Sequence, residues 1–158
     1  MNQLDQLVYC SRARLTPEQA ADQIADIVHV AAFRNAQVGI TGALTLRGDI
    51  FVQMLEGAPT ALDILMLHLH FDARHEDIVV LARERITQRA FPVWGMTAPQ
   101  AAPSTASALD ILITERSPRL DLWRQAMGAA LAPQALQTEA LGAGGVISRL
   151  STRSRQAV

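Results

Sequence analysis

Five polar or electron-rich side chains in this sequence stand where the patterning turns them inward: Tyr9, Asn35, Gln53, Trp94 and Met96. Gln53 is the clearest. It lies in the run Ile50-Phe51-Val52-Gln53-Met54-Leu55-Glu56-Gly57, where Phe51 and Leu55 share its face and Ile50, Val52 and Met54 fill the other. A strand that is apolar on both faces is a buried strand. A primary amide placed there must satisfy two donors and two acceptor sites, or cost roughly a few kcal/mol. The other four add a second amide, a phenol, an indole and a thioether. Such a set suits a flat heterocycle with carbonyl and ring-nitrogen edges. It contains no general base and no nucleophile.

The elements that must position these groups follow from periodicity. Leu4 to Cys10 reads as a first strand, with Leu7 and Tyr9 on one face and Val8 and Cys10 on the other. Thr16-Pro17-Glu18-Gln19 is a helix start, with Thr as cap, Pro at the first helical position and Gln completing the capping pattern. Ala20, Ile24, Ile27, Val28 and Ala31 then form one stripe, and Asn35 continues it one turn on. Gly39 to Leu46 and Ile50 to Leu55 read as a hairpin around Arg47-Gly48-Asp49. Thr60 to Phe71 is a second helix with Leu62, Leu65, Met66 and Leu69 inward. Ile78 to Ile86 is a fourth strand, and Val93 to Thr97 a short fifth carrying Trp94 and Met96. The order βαββαββ predicts an α+β sandwich, a mostly antiparallel sheet with its two helices on one face.

Ala98 to Ala106 reads as a linker, and Leu109 to Arg116 and Pro118 to Leu131 as two C-terminal helices joined at Ser117-Pro118. Pro133 starts a further turn, and the chain from Gly142 reads as a mobile tail. The predicted organisation is therefore a domain over 1–98 and an extension over 99–158. Leu109, Ile111, Leu112, Leu122, Trp123 and Met127 give the extension an apolar surface, expected to pack back on the sheet, with self-association as a further use.

Composition narrows the function classes. The 158 residues are 49% apolar and 18% charged, enough for a real core. A net charge of −1 argues against general nucleic-acid binding. All fourteen basic residues are Arg. The single Cys10 excludes an internal disulfide and a Cys-rich metal site. With no signal pattern and no membrane-length apolar run, the expectation is a soluble cytoplasmic protein. His68-Leu69-His70-Phe71-Asp72 is half of a metallohydrolase signature, but that signature needs a further His where Ala73 stands. His68 and His70 also point apart on a helix, so no metal is expected.

Read in order, the segments resemble a BLUF domain, the flavin-binding blue-light receptor module. The resemblance runs from about Leu4 to Met96. Its pieces are Leu7-Val8-Tyr9-Cys10-Ser11-Arg12, Arg34-Asn35, Gly39-Ile40-Thr41-Gly42, Phe51-Val52-Gln53-Met54-Leu55-Glu56-Gly57, Asp72-Ala73-Arg74-His75 and Arg89-Ala90-Phe91-Pro92-Val93-Trp94-Gly95-Met96. It implies a ferredoxin-like sheet with FAD between the two helices. It further implies that Tyr9 donates an electron to the excited flavin and hydrogen-bonds Gln53. Gln53 is then the switch amide, and Asn35, Arg74 and His75 hold the ring's pyrimidine edge. Trp94 and Met96 occupy the last strand near the glutamine. Arg34 stands where some members carry His, and Ala31 where some carry Ser. FMN and riboflavin offer the same ring.

What the resemblance implies is a photoreceptor without catalysis of its own, acting on an unknown partner protein or through self-assembly. The residues alone also leave open a flavin-dependent redox enzyme and a light-insensitive ferredoxin-like regulatory domain.

Overall fold

The computed structural model describes residues 3–16, 20–93, 95–96 and 102–143. Five strands and four helices follow in the order β1 (Leu4–Ala13), α1 (Ala20–Gln37), β2 (Thr41–Arg47), β3 (Ile50–Gly57), α2 (Pro59–His70), β4 (His75–Ile86), β5 (Gly95–Met96), α3 (Pro103–Thr114) and α4 (Leu120–Ala143). The strands form one sheet in the order β4-β1-β3-β2-β5. All neighbours are antiparallel except β5, which runs parallel to β2. This is the expected ferredoxin-like α+β arrangement.

The sheet has a helical layer on each side, because its central strands are apolar on both faces. Leu7, Tyr9 and Leu55 pack with Leu62 and Met66 of α2, while Leu44 and Phe51 pack with Ile27 of α1. On the opposite face Val8, Ala43, Val52 and Met54 pack with Leu109, Leu112, Trp123 and Met127 of α3 and α4. The C-terminal helices thus do pack back on the sheet. Ile111 and Leu122 are not part of that packing and lie exposed.

Several boundaries differ from the sequence expectation. Gly39 does not open β2; it ends α1. Its φ is +70°, with Gly39 N–H donating to Ala36 O and Ile40 N–H to Asn35 O, the bonds of a Schellman cap. The Pro17-Glu18-Gln19 start of α1 lies outside the described residues. The second half of the expected linker is helical, since α3 begins at Pro103 behind Ala102. α4 begins at Leu120 and runs through Pro133 and Gly142 to Ala143. Ser117 lies three residues before α4, its Oγ accepting from Arg119 N–H at 3.3 Å.

Two backbone details shape the centre of the sheet. A Cβ at Gly42 would lie 1.9 Å from Met54 O, so only glycine lets β2 approach β3 there. β4 carries irregularities opposite Val8/Tyr9 and Cys10/Arg12, and Asp77 sits at φ 53° in the second. Such bulges turn a strand locally and let it re-aim its side chains.

Candidate functional site

Between α1, α2 and the sheet lies a cavity of about 780 Å³. Ile27, Ala31 and Asn35 line it from α1, Ile64, Leu65 and Leu69 from α2, and Leu44 and Gln53 from the sheet. The helical stripe that aims Asn35 inward ends on the Schellman cap, so the turn at Gly39 also sets where that amide stands.

The register places the polar groups. Tyr9 is directly opposite Gln53, and Gln53 opposite Leu44, with Met96 beside Leu44 in β5. Tyr9 is fully buried and its hydroxyl donates to Gln53 Oε1. Burial pushes the phenol well above its ordinary pKa, and the negative charge of Asp72 pushes the same way. The hydroxyl therefore keeps its proton and directs it at the amide oxygen. Tyr9 stands one bond behind the cavity wall; Gln53 is the member of the pair that reaches the cavity.

The amides show what the cavity would hold. Gln53 and Asn35 are 5% and 4% exposed. Among the described residues, Gln53 Nε2 and the Asn35 side chain make no hydrogen bond. Buried amides left open toward a cavity of this size fit a ligand with paired donor and acceptor edges. An isoalloxazine ring has those edges.

Three more of the expected residues, His75, Arg74 and Arg34, line the same cavity. His75 is buried, with Nδ1 2.8 Å from Ser11 Oγ and its ring centroid 4.9 Å from that of Phe51. Burial draws its imidazole below the ordinary value, against the nearby charge of Asp72. Arg74 lines the cavity while held by Asp72, through Nε at 2.9 Å and Nη2 at 2.5 Å. That pairing depresses the Asp72 carboxyl. Arg34 lines the cavity from an exposed place on the last turn of α1. Trp94 lies outside the described residues, and Met96 is described in its backbone only.

Sequence reasoning missed Ser11, although alternation puts it on the Tyr9 face. It also missed His68 and Asp72 as cavity residues. No group of three His, Cys, Asp or Glu able to hold a metal occurs among the described residues.

The comparisons agree with this geometry. The BLUF family, sensors of blue light using FAD, matches residues 4–97. The chain belongs to the BLUF family. It is a flavin-based blue-light sensor. The photoactivated adenylate cyclase subunit alpha of Euglena gracilis is 40% identical over 95 residues, which are 60% of this chain and 9% of that protein. The subunit beta of the same organism is 35% identical over 94 residues, 59% of this chain and 11% of that one. The chain thus spans about a tenth of the cyclase subunits it matches. Among solved structures, the dark state of BlrB, a BLUF protein, aligns with TM-score 0.66 and 32% identity over 83% of this chain and 99% of that one. Klebsiella pneumoniae BlrP1 with FMN and cyclic diGMP aligns with TM-score 0.58 and 30% identity over 70% of this chain and 30% of that one. No described helix is long and apolar enough to cross a membrane.

Proposed function

We propose that residues 1–98 form the sensing unit, with Tyr9 and Gln53 as its photoactive pair, and that residues 99–158 carry its output. The observation that supports this most is the buried Tyr9–Gln53 hydrogen bond, whose glutamine lines the cavity and whose Nε2 makes no hydrogen bond among the described residues. Asn35, Gln53, Arg74 and His75 would hold the ring of the flavin, with Arg34 at the rim. FAD is the family's cofactor; FMN and riboflavin carry the same ring. Once bound, the flavin supplies blue-light absorption and an electron-accepting excited state.

The protein's part is proton and hydrogen-bond control. Tyr9 is a neutral phenol whose hydroxyl already donates a hydrogen bond to Gln53 Oε1. A phenol that loses an electron becomes a strong acid, so its proton is released toward that oxygen. An amide can relay it, because one end donates, the other accepts, and rotation or tautomerisation exchanges the two. A carboxylate, which only accepts, could not reverse in this way. Met96, in the same cross-strand row as Leu44 and Gln53, puts β5 within reach of the change. Trp94 would share that role. The output is non-enzymatic and is delivered to a partner protein or to a second copy, in the cytoplasm.

The test is a visible spectrum of dark-purified protein before and after blue light. A red shift that decays in darkness is expected. Tyr9→Phe and Gln53→Leu should each abolish the normal photoproduct while keeping the flavin. A normal shift in both variants would overturn the assignment. A colourless protein would favour a light-insensitive regulatory domain. Bleaching by a reducing substrate without the shift would favour a redox enzyme.

A further inference from the structure

A second polar cross-strand pair lies on the other face of the same two strands. Gln6 of β1 is directly opposite Glu56 of β3, and both are fully buried. Gln6 Nε2 donates to Glu56 Oε1 at 2.5 Å. Glu56 also accepts backbone N–H bonds from Ala90 at 2.9 Å on Oε1 and from Phe91 at 3.0 Å on Oε2. The other end of Gln6, Oε1, accepts from Arg124 Nε of α4 at 2.6 Å. Arg124 Nη2 continues to Glu84 of β4.

An apolar pair would fill this space with no need to desolvate a carboxylate. What the polar pair adds is attachment. β5 has only two residues in its ladder, too few to hold it against β2 by themselves. The connection that feeds it is pinned at Ala90 and Phe91 by one buried carboxylate. Arg89 secures the same segment, donating to Glu56 O at 2.6 Å, Thr41 Oγ1 at 2.7 Å and Gly39 O at 2.7 Å. Through Gln6 the carboxylate that holds this connection also holds α4. Gln6 has no slack in this chain: its amino end faces Glu56 and its carbonyl end faces Arg124. A displacement of Glu56 breaks one of the two bonds or carries Arg124 with it.

We propose that Glu56 is a positioning residue of the light response, which sets β5 through Ala90 and Phe91 and couples that strand to α4 through Gln6 and Arg124. The proposal rests on the photoactive role of Tyr9 and Gln53. A contiguous hydrogen-bonded chain becomes evidence of coupling only when both ends are measured.

The experiment uses the flavin-loaded full chain. Amide hydrogen exchange is read at Ala90 and Phe91 and over 120–131 of α4, in darkness and under blue light, beside the absorption spectrum. In the parent protein, light changes exchange at both places. Arg124→Gln keeps the red shift and the response at Ala90 and Phe91, while the light-minus-dark response of α4 falls at least about fivefold. Glu56→Gln puts an amino group where the carboxylate accepts N–H bonds. It loses both responses and changes dark recovery at least about fivefold while the red shift still forms. A merely structural role for Arg124 would raise α4 exchange equally in light and darkness. An α4 response of parental size in Arg124→Gln overturns the proposal, as does a parent whose α4 ignores light. If Glu56→Gln does not fold, Arg124→Gln decides alone. Absence of any red shift in the parent would bring down the functional reading and this proposal with it. A normal shift with undiminished α4 coupling in Arg124→Gln brings down only the proposal.

Discussion

The two faces of the sheet are built from alternate residues of the same strands, yet one borders about 780 Å³ of space and the other is closed over by α3 and α4. On the open side α1 and α2 stand over Leu44, Gln53 and Tyr9. On the closed side Trp123 and Met127 fill the gap above Val8, Val52 and Met54. The polar groups differ in the same sense. On the closed side the Trp123 indole N–H donates to Ser117 O at 2.8 Å, and Gln6 and Glu56 are bonded at both ends. On the open side two buried amides keep unfilled valences among the described residues. Pairing of Trp123, Gln6 and Glu56 within the protein marks the face that holds the fold. Incomplete pairing marks the face that takes a ligand.

That contrast can be broken by substitution. The largest effect is expected on the closed side. Trp123→Ala leaves a void and an unpaired Ser117 carbonyl, and should cost about 3–5 kcal/mol, read as a lower urea midpoint. If it costs no more than an exposed substitution such as Leu122→Ala, the closed face does not carry the stability. On the open side the opposite holds. Ala31→Leu adds volume to a cavity the protein does not fill, so stability should change by less than about 1 kcal/mol. Flavin affinity, measured by titration of the apoprotein, should fall at least about tenfold because the ring and the new side chain compete for one space. Equal losses of stability from both changes would erase the distinction.

The smallest effect is in the pH profile, and it too belongs to the open side. The folded His75 has a lowered pKa because it is buried, so the unfolded chain takes up that proton first. Stability is therefore full above the ordinary histidine range. It falls as pH drops below about 6.5, by up to about tenfold in the folding constant per pH unit, until the folded imidazole also protonates. Asp72 acts in a separate, more acidic window: its pKa is depressed chiefly by Arg74, so its contribution is present above the ordinary carboxylate range and lost only below it. Urea melts between about pH 7 and 5 should thus flatten in His75→Asn. An unchanged slope would assign the acid sensitivity to another group.

Much of the site was legible because it depends on local periods. Period-two alternation put Tyr9 on the face of Leu7 in one strand and Gln53 on the face of Phe51 and Leu55 in another, and the helical stripe brought Asn35 inward. Gln6 and Glu56 were less legible, though alternation put them opposite Tyr9 and Gln53. A polar residue near a strand end reads as solvent-facing until a helix from far along the chain covers it, and here α4 does so from 118 residues away. Gly39 was misread for a related reason: a glycine between a helix and a strand fits either element, and only its positive φ and the bond from Ile40 to Asn35 identify a cap. Arg74 was expected only at the ring's pyrimidine edge; the turn after α2 also folds it onto Asp72, a pairing that local periods do not show.

By itself, then, the sequence determined which side chains of an element share a face and which chemistry they bring: a phenol, two amides, an indole and a thioether, with no nucleophile among them. The tertiary structure alone decided that Tyr9 stands opposite Gln53, that α1 and α2 leave room above that pair, and that α4 reaches Glu56 through Gln6. The reason is the range of the forces involved. A residue's face follows from backbone geometry over one or two turns. Register, helix spacing and the partner of a buried polar group are set by contacts between segments distant in sequence, where only the packed whole determines the distance.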